Sequence, residues 1–223
     1  MISTIIFDFD GVIVESVDIK AQAFCHVFRQ RPPEIRRQIL ELHMNQAGTP
    51  RRDKFRIIYK EFLNQPVSAV ELEQLSVEFS QFCVDKIVAA PYVTGAFEFI
   101  SQYHGTYDMF IVSSAPESEL KEIVNRRGID GFFKGIFGTP RGKLEICHAI
   151  LKQKQLLPQQ VAFIGDSISD YQVARQCGTR FIGRIDEKSQ DPLCQEPLRL
   201  KLHDLSHLND MLLTVLDQEE VSP

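Results

Sequence analysis

The sequence contains no tryptophan, and its five cysteines are odd in number and scattered: Cys25, Cys83, Cys147, Cys177 and Cys194, with no CxxC among them. That spacing supplies neither the paired ligands of a structural zinc site nor a disulfide framework, so reduced, largely buried thiols are expected. No apolar stretch approaches the ~18 residues a membrane helix requires, so no membrane association is expected. An excess of positive charge is missing too. Lys and Arg number 25 against 30 Asp and Glu, a net charge of −5, which argues against the basic face of a nucleic-acid binder. A small basic pocket for an anionic ligand would not show in that total. The opening MISTIIFDFD lacks a basic n-region and reaches Asp8 almost at once, so a cytoplasmic protein is expected. Internal repeats and low-complexity tracts are also absent.

What is present is an alternation. STIIF (3–7), YDMFIV (107–112), VAFIG (161–165) and TRFIG (179–183) read as buried strands rich in β-branched and aromatic residues. Helical patterns separate the later ones: ESELKEIVNRRG (117–128), LEICHAILKQ (144–153) and SDYQVARQCG (169–178). Strands alternating with helices of this length imply βαβ units and a parallel sheet. Residues 17–90 break the pattern, with four helical segments and no convincing strand. The expected fold is therefore α/β: a Rossmann-like core, residues 1–16 and 91–223, with a small all-helical domain, residues 17–90, inserted after the first strand. Linkers are expected at 15–18 and in AAPYVTG, 89–95.

Four short stretches carry chemistry. In FDFDGV, Asp8 and Asp10 lie two residues apart at a strand's C-terminal end, where open α/β sheets bind ligands. A turn at Asp10-Gly11 explains one of these acids but not Asp8. In GDSISD, Asp166 and Asp170 follow another apolar run; a capping box with Ser167 accounts for Asp170 and leaves Asp166 free. Carboxylates converging at strand tips need a counter-charge, which a hard divalent cation such as Mg²⁺ supplies. In FIVSSAPESEL, Ser113 ends a strand beside a helix start, a setting suited to phosphate, while Ser114 could simply cap the helix and Pro116 suits its first turn. In GTPRGKLEICHAIL, Lys143 stands near a helix start, where the dipole disfavours a cation. It could offset the acids and hold a phosphoryl oxygen.

The order DxDG, then a strand ending in Ser, then Lys, then GDxxxD resembles the haloacid dehalogenase superfamily of phosphotransferases, over nearly the whole chain. The helical block after DxDGVxxES looks like that family's inserted helical cap, as in phosphoglycolate phosphatases and β-phosphoglucomutases. By this resemblance Asp8 is the nucleophile that forms an aspartyl-phosphate, and Asp10 the general acid/base. Asp8, Asp166 and the backbone carbonyl of Asp10 ligate Mg²⁺, and Asp170 ligates it or orients Lys143. Ser113 and Lys143, with Ser114, bind the phosphoryl group. The presence of Asp10 points away from dehalogenases, in which that residue is replaced. A phosphatase acting on a small phosphorylated metabolite is implied, with a phosphomutase as the alternative and a non-catalytic phosphate-binding regulatory protein as a more distant one. Lys20 stands where the β-phosphoglucomutases have histidine, which weakens that alternative.

Substrate choice is expected to lie in QAGTPRRDKF (46–55), which looks like a specificity loop carrying Gly48, Arg51, Arg52 and Lys54. Its basic residues are candidates for a second anionic group, though a solvated helix face also explains such a run. Glu15, Ser16 and Lys20 are further candidates, facing the site from the hinge. The histidines show no ligand spacing and are read as ordinary. Neither the substrate nor a choice between monomer and dimer follows from the sequence.

Overall fold

A computed structural model describes residues 1–186 and 189–217. Its centre is the strand Thr4–Phe7 (β1), whose side chains are all buried. Ile5 and Phe7 enter one hydrophobic cluster and Ile6 the other, so both faces of the strand are covered. A strand apolar on successive residues is what a parallel sheet between two helical layers demands. Phe7 pairs with Ile111 of β2 (Asp108–Pro116) on one side and with Ile164 of β4 (Val161–Gly165) on the other. With β3 (Gly135–Thr139), β5 (Arg180–Arg184) and β6 (Lys201–Leu202), the order is β3-β2-β1-β4-β5-β6, and every pairing is parallel. This is the expected Rossmann-like α/β architecture.

Four helices follow β1: α1 (Val17–Val27), α2 (Pro33–Asn45), α3 (Arg51–Ile57, continued by a wider turn over Ile58–Phe62) and α4 (Ala69–Ala89). The remaining helices are α5 (Ala96–Tyr103), α6 (Glu117–Arg126), α7 (Lys143–Lys154), α8 (Ile168–Cys177) and α9 (Leu208–Asp217). The sequence-predicted helices agree closely with α6, α7 and α8. One detail differs: Pro116 precedes α6 at its N-cap position rather than lying in the first turn. Strands β3 and β6 were not expected. The first is a half-buried edge strand opened by Gly135, and the second has only two residues.

The helical insert has its own aromatic centre. Phe24 lies 4.9 Å from Phe79 and 5.6 Å from Phe55, ring centroid to centroid, spacings at which edge-to-face contacts are favourable. Helix α4, its longest element, starts with a reciprocal Ser68–Glu71 capping box. The insert joins the sheet through two antiparallel crossings. Glu15 N donates to Pro91 O and Val93 N to Ile13 O, each at 3.0 Å. Beyond them Arg127 of the core donates to the carbonyls of Ile87, Val88 and Ala90 and stacks over Tyr92. Ile87 O also accepts from Ala90 N at 3.3 Å, and Arg127 closes the end of α4 over all three carbonyls.

Candidate active site

Because β1 is aligned with its neighbours at Phe7, the next residue emerges at the carboxyl edge of the sheet. Asp8 N extends the ladder by one bond, to Ile164 O at 2.9 Å, and Phe9 N donates to Asp8 Oδ1 at 2.7 Å. The chain then turns back on itself, with Gly11 N donating to Val14 O at 2.8 Å. Gly11 has φ +73°, and a Cβ there would press into the Asp166 carboxylate, 2.9 Å from its Cγ. Glycine is therefore required for both the backbone angle and the space. The turn expected at Asp10-Gly11 is present in this loop.

Asp8 is buried at 5% exposure and Asp170 at 0%. One carboxylate oxygen from each of Asp8, Asp166 and Asp170 lies within 4.8 Å of the others. Lys143 Nζ sits between two of them, 2.8 Å from Asp8 Oδ2 and 2.6 Å from Asp170 Oδ1. The second oxygen of Asp170 accepts from Ser167 Oγ at 2.6 Å and Ser167 N at 3.3 Å. Asp170 thus completes the capping box of α8 and fixes Lys143 at once. Lys143 is the first residue of α7, where the helix dipole repels a cation; its two carboxylate partners offset that repulsion.

The electrostatics of this cluster are out of balance. Burial, reinforced by the charges of Asp170 and Asp10 and opposed by Lys143, pushes the Asp8 carboxyl up to about 7. Burial and the Asp8 and Asp170 charges hold Asp166 well above the ordinary carboxylate range. Burial pulls the Lys143 ammonium down, but Asp170 and Asp8 together hold it above the usual lysine range. Repelling buried carboxylates that a single ammonium does not neutralise, presented as hard oxygen donors, fit a divalent cation of the Mg²⁺ kind.

Asp10 faces the other way, toward the insert. It accepts from Ser16 Oγ at 2.6 Å and forms an ion pair with Lys20. Glu15, also expected to face the site, instead bridges to Arg184 of β5 at 2.8 Å. Ser113, expected to end a strand, is buried within β2, which runs on to Pro116, its Oγ accepting from Ala115 N at 3.2 Å. Ser114 does not cap α6. Its hydroxyl donates to Gly48 O of the insert at 2.6 Å, because β2 continues past it to Pro116 and the helix begins only at Glu117.

The loop around Gly48 lies directly on the core. A Cβ at Gly48 would stand 2.6 Å from Ser167 Oγ and closer still to Ser169 Oγ. Between loop and core is a cavity of about 30 Å³ lined by Asp8, Asp10, Lys20, Ser113, His43 and Gly48, among others. The three basic residues that follow the loop diverge. Arg51 turns to Glu119 and Ser80, each at 2.8 Å, and Arg52 pairs with Glu73 on the surface. Lys54 alone turns toward the site: its Nζ lies 2.9 Å from His43 Nδ1 and 3.2 Å from Ala47 O. The sequence reading passed over His43, which carries no spacing signal, and Asp191. The latter accepts from Ile168 N at 2.7 Å and Leu193 N at 2.9 Å, and so shapes the start of α8.

Comparison with known proteins follows the same lines. A family model described as "Haloacid dehalogenase-like hydrolase" matches residues 5–184. No curated protein matches the sequence. Among solved structures, a predicted phosphoglycolate phosphatase from Haemophilus somnus is 16% identical, with TM-score 0.75 over 95% of this chain and 98% of its own. CbbY from Rhodobacter sphaeroides, a variant in complex with xylulose-(1,5)bisphosphate, is 16% identical, with TM-score 0.70 over 93% and 96%. YfnB from Bacillus subtilis, bound to magnesium, is 19% identical, with TM-score 0.68 over 95% and 98%. At these identities the likeness is one of fold.

Proposed function

The chain belongs to the haloacid dehalogenase-like hydrolases, and from that membership we propose that it is a Mg²⁺-dependent phosphatase of small phosphate monoesters. The observation that carries this reading is the division of the DxDG loop. Asp8 lies against Lys143 in the acidic cluster, while Asp10 lies apart from it, held by Ser16 and Lys20.

In this reading a carboxylate oxygen of Asp8 attacks phosphorus and the bond to the leaving oxygen breaks. Asp10 gives its proton to that oxygen, and the metabolite departs as an alcohol. Asp10, now a carboxylate, takes a proton from the water that attacks the aspartyl-phosphate, which returns Asp8 and inorganic phosphate. Lys143 and Ser113, with Ser114 beside it, face the phosphoryl oxygens, where charge develops. Mg²⁺ held by Asp8, Asp166 and the Asp10 carbonyl would supply the positive charge that the cluster lacks. Asp170 keeps Lys143 in place and adds to the negative charge. The helical insert, residues 17–90, acts as a cap that lifts to admit substrate and closes to exclude bulk water. The cavity of about 30 Å³ is a closed arrangement, far below the ~300 Å³ of small-ligand pockets.

The phosphorylated ligand of CbbY and the description of the Haemophilus somnus protein support a small phosphorylated metabolite. The test is release of phosphate from an aryl phosphate. Turnover is expected to require Mg²⁺, to stop in chelator, and to fall at least about a thousandfold in Asp8→Asn. Activity surviving either change sinks the proposal. Phosphate release from β-glucose 1-phosphate without formation of glucose 6-phosphate separates a phosphatase from a mutase.

A further inference from the structure

Among the described residues, Lys54 is the buried lysine without a carboxylate partner. It is 2% exposed, yet among the described residues no carboxylate lies within ion-pair distance of it. The other two lysines that reach the site are both paired, Lys143 with two carboxylates and Lys20 with Asp10. Two of the three N–H donors of Lys54 go to His43 Nδ1 and Ala47 O, and the charge of Lys20 repels it. An ammonium in this position costs several kcal/mol unless something anionic meets it.

Its surroundings say where that anion would come from. A lysine donating to Nδ1 leaves the imidazole proton of His43 on Nε2. The only acceptor near that atom among the described residues is Val17 O, at a loose 3.5 Å. His43 lines the cavity beside Asp10 and Lys20, whereas Ser113 and Lys143 mark the phosphoryl side. His43 therefore lines the cavity on its Asp10 side, and Lys54, which does not itself line it, stands behind the imidazole at Nδ1.

We propose that Lys54 and His43 form a subsite for a second anionic group, a carboxylate or a second phosphate, on the leaving-group side of the phosphate monoester. The inference rests on the phosphatase reading for the placement of the ester. It separates Lys54 from Arg51 and Arg52, whose charges Glu119 and Glu73 already occupy.

The experiment compares ethyl phosphate with two esters of equal carbon length, 2-phosphoglycolate and ethylene glycol bisphosphate, in Mg²⁺. Wild-type kcat/KM is expected to be at least about tenfold higher for the two anionic esters. In Lys54→Met that preference should vanish through KM; Lys54→Arg should retain part of it. Equal wild-type rates on all three esters overturn the subsite and leave the phosphatase standing. So does a Lys54→Met variant whose losses are equal on charged and neutral esters. Calorimetric binding of the same three compounds to Asp8→Asn provides a readout free of turnover. If nothing is hydrolysed but binding retains a Lys54-dependent preference, the phosphatase reading falls and the subsite stands; if neither occurs, both fall.

Discussion

Burial pulls the Lys54 ammonium from its ordinary 10.5 down to about 7, Lys20 pulls the same way, and Asp10, Asp191 and Asp166 pull against them. Below pH 7 the group is charged in both folded and unfolded chains, and the full cost of burying it weighs on the fold. Between 7 and 10.5 the folded chain has released the proton and the unfolded chain has not. Stability therefore rises with pH across that window, by at most about 1.4 kcal/mol per pH unit. Lys54→Met removes this dependence. Urea unfolding from pH 7 to 9.5 should show the stability difference, variant minus wild type, falling as pH rises; a difference flat in pH would mean that Lys54 is not held against burial. A residue that costs stability and serves only one class of ester fits a binding role better than a structural one. Asp10 gives a second expectation at this scale. Asp10→Asn should let an aspartyl-phosphate form slowly and linger, visible as acid-stable loading of the protein, and unchanged turnover would refute its proton-transfer role. Sequence reasoning brought Asp8, Asp166 and Asp170 together because they follow strand ends and a helix start, whereas Asp10 lies past the end of β1 and faces the other way, which strand alternation did not foresee. It did not find His43, since nothing in the local pattern says which face of α2 meets the core.

At the scale of elements, the loop between α2 and α3 matters more than its few residues suggest. Gly48 reaches the core because it lacks a side chain, giving its carbonyl to Ser114 while Ser167 and Ser169 fill the space a Cβ would need. Gly48→Val should keep the loop from seating. The insert's aromatic centre at Phe24, Phe55 and Phe79 is separate from this contact, so the melting temperature should move by no more than a few degrees. Turnover should fall by about ten- to a hundredfold as closure is lost. Normal kcat in a folded Gly48→Val protein would show that this contact is incidental. The sequence made this loop a candidate through its glycine and its basic run, but could not sort the run. Arg51, Arg52 and Lys54 lie within four residues on one short helix, and their partners Ser80, Glu119, Glu73 and His43 come from three other helices. Strands β3 and β6 escaped detection for a different reason. Their order depends on the neighbours β2 and β5 rather than on a strong apolar run of their own.

For the molecule as a whole, the question is what holds the helical insert against the sheet domain. Besides the chain crossings, the Gly48 loop, the Arg127 contacts and the Lys20–Asp10 pair, Arg51 of α3 is tied to Ser80 of α4 and Glu119 of α6. The Arg51 and Glu119 side chains are 12% and 9% exposed. This tie joins residues 68 positions apart, a separation at which charge pairing cannot be read from a sequence, whereas the parallel sheet could be read because its strands declare themselves locally. Removing one member of a buried pair strands the other, at a cost of about 3–5 kcal/mol, while removing both costs less than the sum. Arg51→Met and Glu119→Gln should each lower stability by that order, and the double variant by clearly less than the two combined. If the insert acts as the proposed cap and this pair helps to keep it closed, each single variant should raise KM for an anionic ester and leave the Lys54-dependent preference intact, because neither residue belongs to that subsite. Additive losses in urea unfolding would show that the two charges are not coupled across the boundary. A lost ester preference in Arg51→Met would move the second-anion site from Lys54 to Arg51.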